Sequence, residues 1–179
     1  MAGLAHLGVG LAAKRAAPTV PVGVLIAAAY GIDIVFGVFW LAGVERIPGP
    51  GVQTDNPWSH GLFMAVVWSL SAGLVGARVS RSGRTGVVLG LVVLSHWIVD
   101  FVSHPMTAVF PADRGLPLLF EGSRLVGLGL WKSPLGVNIG EYGTTAVGLG
   151  IYVMTLLWLR RKRRAAAAPN PAMASPAAK

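Results

Sequence analysis

LSHWIVDFVSHP (residues 94–105) ends an apolar run that begins near Thr85. On a helix of about 3.6 residues per turn, positions four apart are rotated by only about 40° relative to each other. His96, Asp100 and His104 therefore share one stripe of the predicted helix, and apolar side chains cover most of its remaining surface. Ionisable groups at membrane depth are costly and by default mark a functional site. This stretch predicts a membrane helix that carries a functional polar stripe.

The composition indicates an integral membrane protein. Of the 179 residues, 54% are hydrophobic and only 12% are charged, whereas a soluble domain carries about 25% charged residues. The length allows one compact helical domain, which we expect to comprise residues 1–164. The Ala- and Pro-rich residues 165–179 are predicted to form a disordered tail.

Cysteine is absent, and the formal net charge is +8 at pH 7. Disulfides, thiolate metal sites and cysteine nucleophiles are therefore excluded, so any metal ligand must be nitrogen or oxygen. Most basic residues stand in short clusters beside apolar runs, which is the pattern of topology signals and lipid-headgroup contacts. The charge therefore predicts membrane lipids as partners and not nucleic acid.

Four apolar runs are long enough to cross a bilayer, which takes about 20 residues. They cover residues 20–44, 58–79, 85–107 and 138–159. A signal peptide ending near Ala27–Ala29 is an alternative for the first run, but the run continues well past that point, which favours a retained helix. The predicted fold is all-α and polytopic, with four transmembrane helices plus a short re-entrant N-terminal helix formed by residues 1–13.

The basic residues are distributed unequally between the two ends of these spans. Ten stand on one side, in segments 14–15, 78–84 and 160–164, and four stand on the other, in loops 45–57 and 108–137. The positive-inside rule then places both termini in the cytoplasm and the two loops outside. We expect a multi-pass protein of the bacterial inner membrane.

Six ionisable side chains from the four spans fall between the membrane midplane and the outer surface. They are Asp33, His60, His96, Asp100, His104 and Glu141. His6 joins them if residues 1–13 fold back alongside the first span, with a turn at residues 16–21, because His6 and Asp33 then lie within about one turn in depth. The alternative is a helix on the membrane surface, which leaves His6 far from the rest.

The chemistry of these side chains is that of a metal site. Imidazole and carboxylate together suit zinc, manganese, iron or nickel, and an open position on such an ion activates water. His96 and Asp100 can reach one ion, whereas His104 lies about 12 Å from His96 along an unbroken helix. His104 therefore either transfers protons beside the ion or binds a second ion. The plainer interpretation is that the histidines are packing residues or reach toward the membrane interface.

An ordered set of motifs also points to a family. The set comprises His6 in the N-terminal segment, Asp33, Ser59-His60 and His96-x-x-x-Asp100. Over roughly residues 1–105 the chain thereby resembles the bacterial membrane-bound metal-dependent hydrolases (the LexA-regulated, YdjM-like group). The resemblance implies that His6, Asp33, His60, His96 and Asp100 bind the metal. The chain departs from the group where members often carry Asp-x-Asp-His, since only Asp33 stands there, and NPWSHG replaces an Arg-Gly-x-Thr-His-Ser pattern.

These patterns together predict a membrane-embedded hydrolase in which a divalent ion, zinc or manganese, activates water. His104 or Glu141 would act as general base or acid. A site that opens at the outer leaflet favours a lipid or phosphoester substrate. Two other functions stay open, namely a metal-ion or proton transporter that uses the intramembrane His and Asp residues, and a non-catalytic membrane scaffold.

Overall fold

Helices make up most of the chain in the computed structural model, which describes residues 3–47 and 56–167. In chain order the α-helices are α1 (Gly3–Ala12), α2 (Val22–Ala29), α3 (Gly31–Leu41), α4 (Pro57–His60), α5 (Leu62–Ser80), α6 (Gly83–Ser103), α7 (Pro134–Asn138) and α8 (Thr144–Ala167). A π-helical turn, Ile139–Gly143, joins α7 to α8. Short strands β1 (Leu116–Pro117) and β2 (Leu125–Val126) pair antiparallel in the loop after α6. The predicted helical fold is confirmed, and the small hairpin was not predicted.

Three helical stretches in the described part of the chain are long and apolar enough to cross a membrane. They are α5, α6 and the continuous stretch Pro134–Ala167. Helices α2 and α3 make a fourth if they are counted as one span, because they meet at a bend of 60°. Tyr30, at this break, has φ −93° and ψ 10°, outside the usual α-helical values. The break leaves the carbonyl of Ala29 available to α6, where it meets His96.

Glycine permits close helix packing at two interfaces. Between α5 and α6, a side chain at Gly86 would meet the carbonyl oxygen of Gly73 at 2.5 Å. Between α1 and α8, a Cβ at Gly8 would lie 2.5 Å from the carbonyl oxygen of Thr144. Small residues let membrane helices approach until their backbones are in van der Waals contact. These two interfaces fix the positions of α1 and α6, which carry His6, His96 and Asp100.

One apolar cluster lies beside the polar side chains. It joins α3, α5, α6 and β1 and consists of Ile32, Ala65, Val93, Trp97 and Leu116. Ile32 and Trp97 are the sequence neighbours of Asp33 and His96. Because close-packed side chains have little freedom to shift, burial of these two residues fixes the backbone from which Asp33 and His96 project.

The N-terminal segment folds back into the bundle. Its turn lies at residues 16–21, as predicted, and α1 packs against α2, α6 and α8. The hydroxyl of Tyr30 donates to the carbonyl of Gly3, and the N–H of Ala5 donates to Glu141 Oε2 at 2.8 Å. His6 is therefore held inside the bundle with 1% of its surface exposed, which excludes the arrangement that leaves it far from the other polar residues.

Several predicted helix boundaries are wrong. Helix α6 ends at Ser103 and not near residue 107, and His104 has an extended backbone with ψ 148°, because proline disfavours the helical conformation in the residue before it. His104 is therefore not on the helical stripe of His96 and Asp100. His60 stands on the separate short helix α4, since Gly61 is extended (ψ 141°) before α5 begins.

The C-terminal boundary also differs from the prediction. Helix α8 runs through Ala167, so the first residues of the predicted tail are helical. A run of good helix formers, mostly Arg and Ala, follows the span and continues its helix. Residues 168–179 of the tail and residues 48–55 of the predicted loop 45–57 lie outside the described residues.

Candidate metal centre

Five of the sequence-predicted site residues meet at one place inside the bundle. They come from α1 (His6), α3 (Asp33), α4 (His60) and α6 (His96 and Asp100). The side chains of His96 and Asp100 have no exposed surface, whereas His60 and Asp33 keep 12% and 20% of theirs. The cluster is therefore closed on the side of α1 and α6 and accessible at the edge formed by Asp33 and His60.

Two ligand groups can be recognised in this cluster. His6, His96 and Asp100 form the inner group, and Asp33, His60 and His96 form the outer group. In each group the three potential ligand atoms lie within 4.8 Å of one another, which is the spacing expected of ligands around a metal ion. His96 belongs to both groups, so the two positions for an ion are adjacent.

Asp100 links the two groups through its two carboxylate oxygens. Its Oδ1 lies 3.3 Å from His6 Nε2, and its Oδ2 lies 3.4 Å from His96 Nε2 and 3.7 Å from His60 Nε2. On the outer side, Asp33 Oδ1 lies 3.4 Å from His60 Nε2 and 3.7 Å from His96 Nε2. Two carboxylates and three imidazoles thus direct their coordinating atoms into one small space.

The coordinating atoms lack ordinary hydrogen-bond partners. Within the described residues, five buried atoms of the cluster make no well-formed hydrogen bond, namely His6 Nε2, His96 Nε2, Asp33 Oδ1, Asp100 Oδ1 and Asp100 Oδ2. Most buried polar groups in native proteins have such a partner, and each exception needs an explanation. A divalent cation would satisfy all five, because it accepts lone pairs from nitrogen and oxygen alike.

The rings of His6 and His96 bear on how many ions the cluster holds. Their centroids are 3.7 Å apart and their planes differ by only 6°. An imidazole binds a metal along the lone pair in its own ring plane, and nearly parallel planes share no nearby point. One ion therefore cannot lie in both planes without rotation of a ring. Two ions, one for each ring, fit the observed orientation directly.

Contacts behind the site set the tautomer of His96. Its Nδ1 lies 2.8 Å from the carbonyl oxygen of Ala29, which can only accept, so Nδ1 carries the proton and donates. The lone pair is then on Nε2, the atom that faces the cluster. Metal-binding histidines are commonly oriented by such a bond from their other nitrogen. The break between α2 and α3 supplies this acceptor.

A buried relay behind His60 was not predicted from the sequence. The N–H and the hydroxyl of Ser59 donate to the two oxygens of Glu45, at 2.9 and 2.6 Å. The hydroxyl has a single proton, so it accepts from His60 Nδ1, which lies 2.7 Å away, and Nε2 of His60 is left with its lone pair toward the cluster. Glu45 and Ser59 are 4% and 0% exposed. The adjacency of Ser59 and His60 was visible in the sequence, but nothing there connected Glu45 to them.

His104 and Glu141, the predicted acid–base residues, belong to neither ligand group. His104 Nδ1 lies 2.8 Å from Asp113 Oδ2, and Asp113 also accepts from the N–H groups of Met106 and Gly115. Burial by itself would raise the pKa of Asp113, but His104 and these two N–H groups outweigh it and lower the pKa below its usual value. Glu141 accepts from the N–H of Ala5 at 2.8 Å. Catalysis by either residue stays a prediction.

Comparisons with family models, with curated proteins and with solved structures find no match to this chain. The resemblance to the membrane-bound metal-dependent hydrolases therefore stays a prediction from the motifs. The site itself is defined by its geometry as a candidate divalent-metal centre within a helical bundle.

Proposed function

We propose that the chain is a membrane-embedded, metal-dependent hydrolase. Its divalent metal, zinc or manganese, is held by His6, Asp33, His60, His96 and Asp100. The observation that carries this proposal is the convergence of five buried coordinating atoms that make no well-formed hydrogen bond with a described residue. Without a cation, the buried carboxylate of Asp100 would be costly in such an apolar bundle.

The arrangement suits hydrolysis because the cluster is closed on one side and accessible on the other. A bound divalent ion with an open coordination position lowers the pKa of water and supplies the nucleophile. His6, His96 and Asp100 form the closed inner wall, whereas Asp33 and His60 stand at the accessible edge. A substrate would approach from this edge, and Glu45 and Ser59 would hold His60 in place as it does so.

The near-parallel rings of His6 and His96 support a centre that would hold two ions, since one oxygen of Asp100 faces His6 and the other faces His96. Paired metals about 3.5–4 Å apart are common in enzymes that cleave phosphoesters, where they contact both the attacking and the leaving oxygen. This supports a phosphoester as the bond cleaved. We assign Glu141 to positioning of α1 through Ala5, and His104 stays the candidate for proton transfer.

The proposed location is the bacterial inner membrane, with both termini in the cytoplasm. In this arrangement α2 and α3 form one broken span, α1 is re-entrant, and the cluster lies in the outer half of the bilayer. The unequal distribution of basic residues supports this orientation. A site in the outer half of the bilayer favours a lipid or another phosphoester at the membrane surface as the substrate.

One observation favours a second candidate function. Glu45, Ser59 and His60 form a continuous hydrogen-bonded chain from a loop to the cluster. Chains of this kind carry protons in membrane transporters. A metal-ion or proton transporter would use the same residues, with Glu45 as the point where the proton leaves the cluster.

Metal analysis of the purified chain tests the leading proposal. We expect bound zinc or manganese in the wild type and a lower metal content in His96→Ala, because Nε2 of His96 lies close to the carboxylates of both Asp33 and Asp100. Ser95→Ala is the matched control, since Ser95 only donates to the carbonyl of Val92 on its own helix. Equal metal in all three proteins, or none in the wild type after supply of either ion, would overturn the metal centre.

Assays of the metal-loaded protein then distinguish the hydrolase from the transporter. Release of product from phosphoester lipids that stops with chelator and in His96→Ala supports the hydrolase. Metal-dependent flux in proteoliposomes without any product supports the transporter.

A further inference from the structure

A surface pocket lined by three basic residues lies at the C-terminal end of α6. It has a volume of about 400 Å³ and is lined by Arg114, Arg124, Lys132, Phe101, Pro105 and strand β2. The three cations are separated in the sequence and are brought to one pocket by the fold. None of the described residues that line it is acidic.

Among the described residues, the acidic side chains of the same loop do not pair with Arg124 or Lys132. Loop 108–137 contains two, Asp113 and Glu121. Both oxygens of Asp113 are engaged by His104 and by the N–H groups of Met106 and Gly115, and Glu121 is not among the lining residues. Arg124 and Lys132 therefore give this concave site a positive charge, which attracts anions.

The loop that forms the pocket is tied to α6 at several points. The N–H groups of Leu128 and Gly129 donate to the carbonyls of Phe101 and His104, at 2.8 and 2.6 Å. The N–H of Ala108 donates to the carbonyl of Trp131 at 3.1 Å, next to Lys132. These backbone bonds hold the segments that carry Arg124 and Lys132 against the helix end. The pocket is thus a built part of the fold.

A glycine at the rim makes room for one of the cations. Gly129 has φ +73°, and a Cβ there would lie 2.5 Å from Cε of Lys132. The stem of Lys132 therefore passes over Gly129, where any other residue would both obstruct it and be strained. Gly129 in this way helps to direct the ammonium group of Lys132.

The lining combines two kinds of surface. Arginine guanidinium groups match the oxygens of phosphate in paired, charge-assisted hydrogen bonds, and lysine adds a point charge. Phe101 and Pro105 provide an apolar wall beside the cations. Phe101 follows Asp100 directly, so α6 presents a metal-centre residue and a pocket residue about 100° apart on its surface. A phosphate attached to an apolar group fits both surfaces.

We propose that this pocket binds a phosphate group through Arg124 and Lys132. The phosphate belongs to a lipid headgroup or to a free phosphate, and the two sources share the same contacts with the cations. Binding of phosphate by the pocket is independent of the proposed function. The further suggestion that this phosphate belongs to the substrate of the hydrolase rests on the proposed function.

The test uses the full chain in dodecyl maltoside, a detergent without phosphate. Three probes are titrated by calorimetry: inorganic phosphate, dihexanoyl phosphatidic acid, and dihexanoylglycerol, which has the same chains but no phosphate. The variants are Arg124→Gln, Lys132→Gln and the double substitution. Arg46→Gln is the control, because Arg46 is an exposed cation of the other loop and does not line the pocket.

Phosphatidic acid should bind to the wild type and to Arg46→Gln, and dihexanoylglycerol should not. Each pocket substitution should weaken binding by about tenfold or more, because it removes a charge-assisted hydrogen bond to the phosphate. If inorganic phosphate binds as tightly as phosphatidic acid, the ligand is free phosphate, and if it binds much more weakly, the apolar wall contributes and the ligand is a lipid. Equal affinity in the wild type and the double variant would overturn the proposal, as would equal binding of dihexanoylglycerol.

Measurement of the metal content distinguishes phosphate binding at the pocket from the proposed hydrolysis at the metal centre. The pocket variants should retain their metal, and His96→Ala should bind phosphatidic acid like the wild type while its metal content falls. If the chain hydrolyses a phosphoester, the double variant should raise KM about tenfold or more with little change in kcat. If no hydrolysis is found, the proposed function fails, and the binding data still decide the pocket.

Discussion

Two His–Asp regions of the molecule have the same residue types, but their carboxylates differ in the hydrogen bonds that they accept. Asp100 lies among His6, His60 and His96, and neither of its oxygens has a well-formed hydrogen bond from a described residue. Asp113 lies beside His104 at 2.8 Å and accepts from the N–H groups of Met106 and Gly115. A carboxylate whose charge is balanced by donors has little need of a cation. A buried carboxylate without donors strongly favours one.

The difference arises at the end of α6. His96 and Asp100 stand on the helix and project into the bundle, whereas His104 has left the helix and belongs to the loop that contains Asp113. The contact between His104 and Asp113 thus joins the loop to the end of the helix. The cluster around Asp100, in contrast, presents ligand atoms that could bind a metal ion. The same two side chains can serve either purpose, and their neighbours decide which.

The largest expected effect is that of Asp100→Asn. The substitution removes the carboxylate that contacts His6, His60 and His96, and we expect metal affinity to fall by more than about 100-fold, since even residues behind a metal site cost about 10–100-fold. Competition with a chromogenic chelator measures the affinity. Asp113→Asn is the matched control and should keep its metal, and equal losses in the two variants would show that the contrast between the regions is wrong.

The second prediction concerns the number of ions in the metal centre. If His6 and His96 each serve a different ion, His6→Ala should lower the metal content by about half and leave the group of Asp33, His60 and His96 loaded. His96→Ala should likewise lower it by about half, because His96 has a single lone pair toward the cluster, on Nε2, and binds one ion. Mass spectrometry of the metal per chain distinguishes these outcomes. Complete loss in both variants would support a single ion and a rotated imidazole ring.

The third prediction tests the relay behind His60. Ser59→Ala and Glu45→Gln should each weaken metal binding by about 10–100-fold, because they release Nδ1 of His60 from its fixed hydrogen bond. The effect should be smaller than that of Asp100→Asn, since no metal ligand is removed. Ser103→Ala is a suitable control, because Ser103 donates only to Val99 on its own helix. Affinities indistinguishable from the wild type would mean that the relay supports the loop alone.

The smallest expected effect is the pH dependence of the stability that the contact between His104 and Asp113 contributes. Because the pKa of Asp113 is lowered in the folded chain, its ionised form stabilises the fold above the ordinary pKa of about 3.9. This contribution is lost as the pH falls through the lowered pKa. The difference in thermal unfolding temperature between the wild type and Asp113→Asn should therefore be constant from about pH 5 upward and shrink below about pH 4. A difference that does not change with pH would assign the destabilisation to geometry instead.

Local sequence determined the helices and part of the site. Apolar runs of sufficient length predicted the long helices, and a spacing of four residues placed His96 and Asp100 on one side of α6, because both properties depend only on neighbours along the chain. Pro105 also contained the signal that ends α6 at Ser103, since proline restricts the residue before it. The prediction extended the helix because it followed the apolar composition and overlooked this restriction.

Tertiary structure alone decided which distant residues meet. Glu45 joins Ser59, and Ala29 joins His96, across separate elements, and no periodicity in the sequence encodes either contact. The same holds for Arg114, Arg124 and Lys132, which share a pocket only because a short hairpin and its bonds to α6 bring their segments together. Contacts between separate elements depend on how whole faces pack and where helices break. Their energy is therefore spread over many side chains, and no short stretch of the sequence contains it.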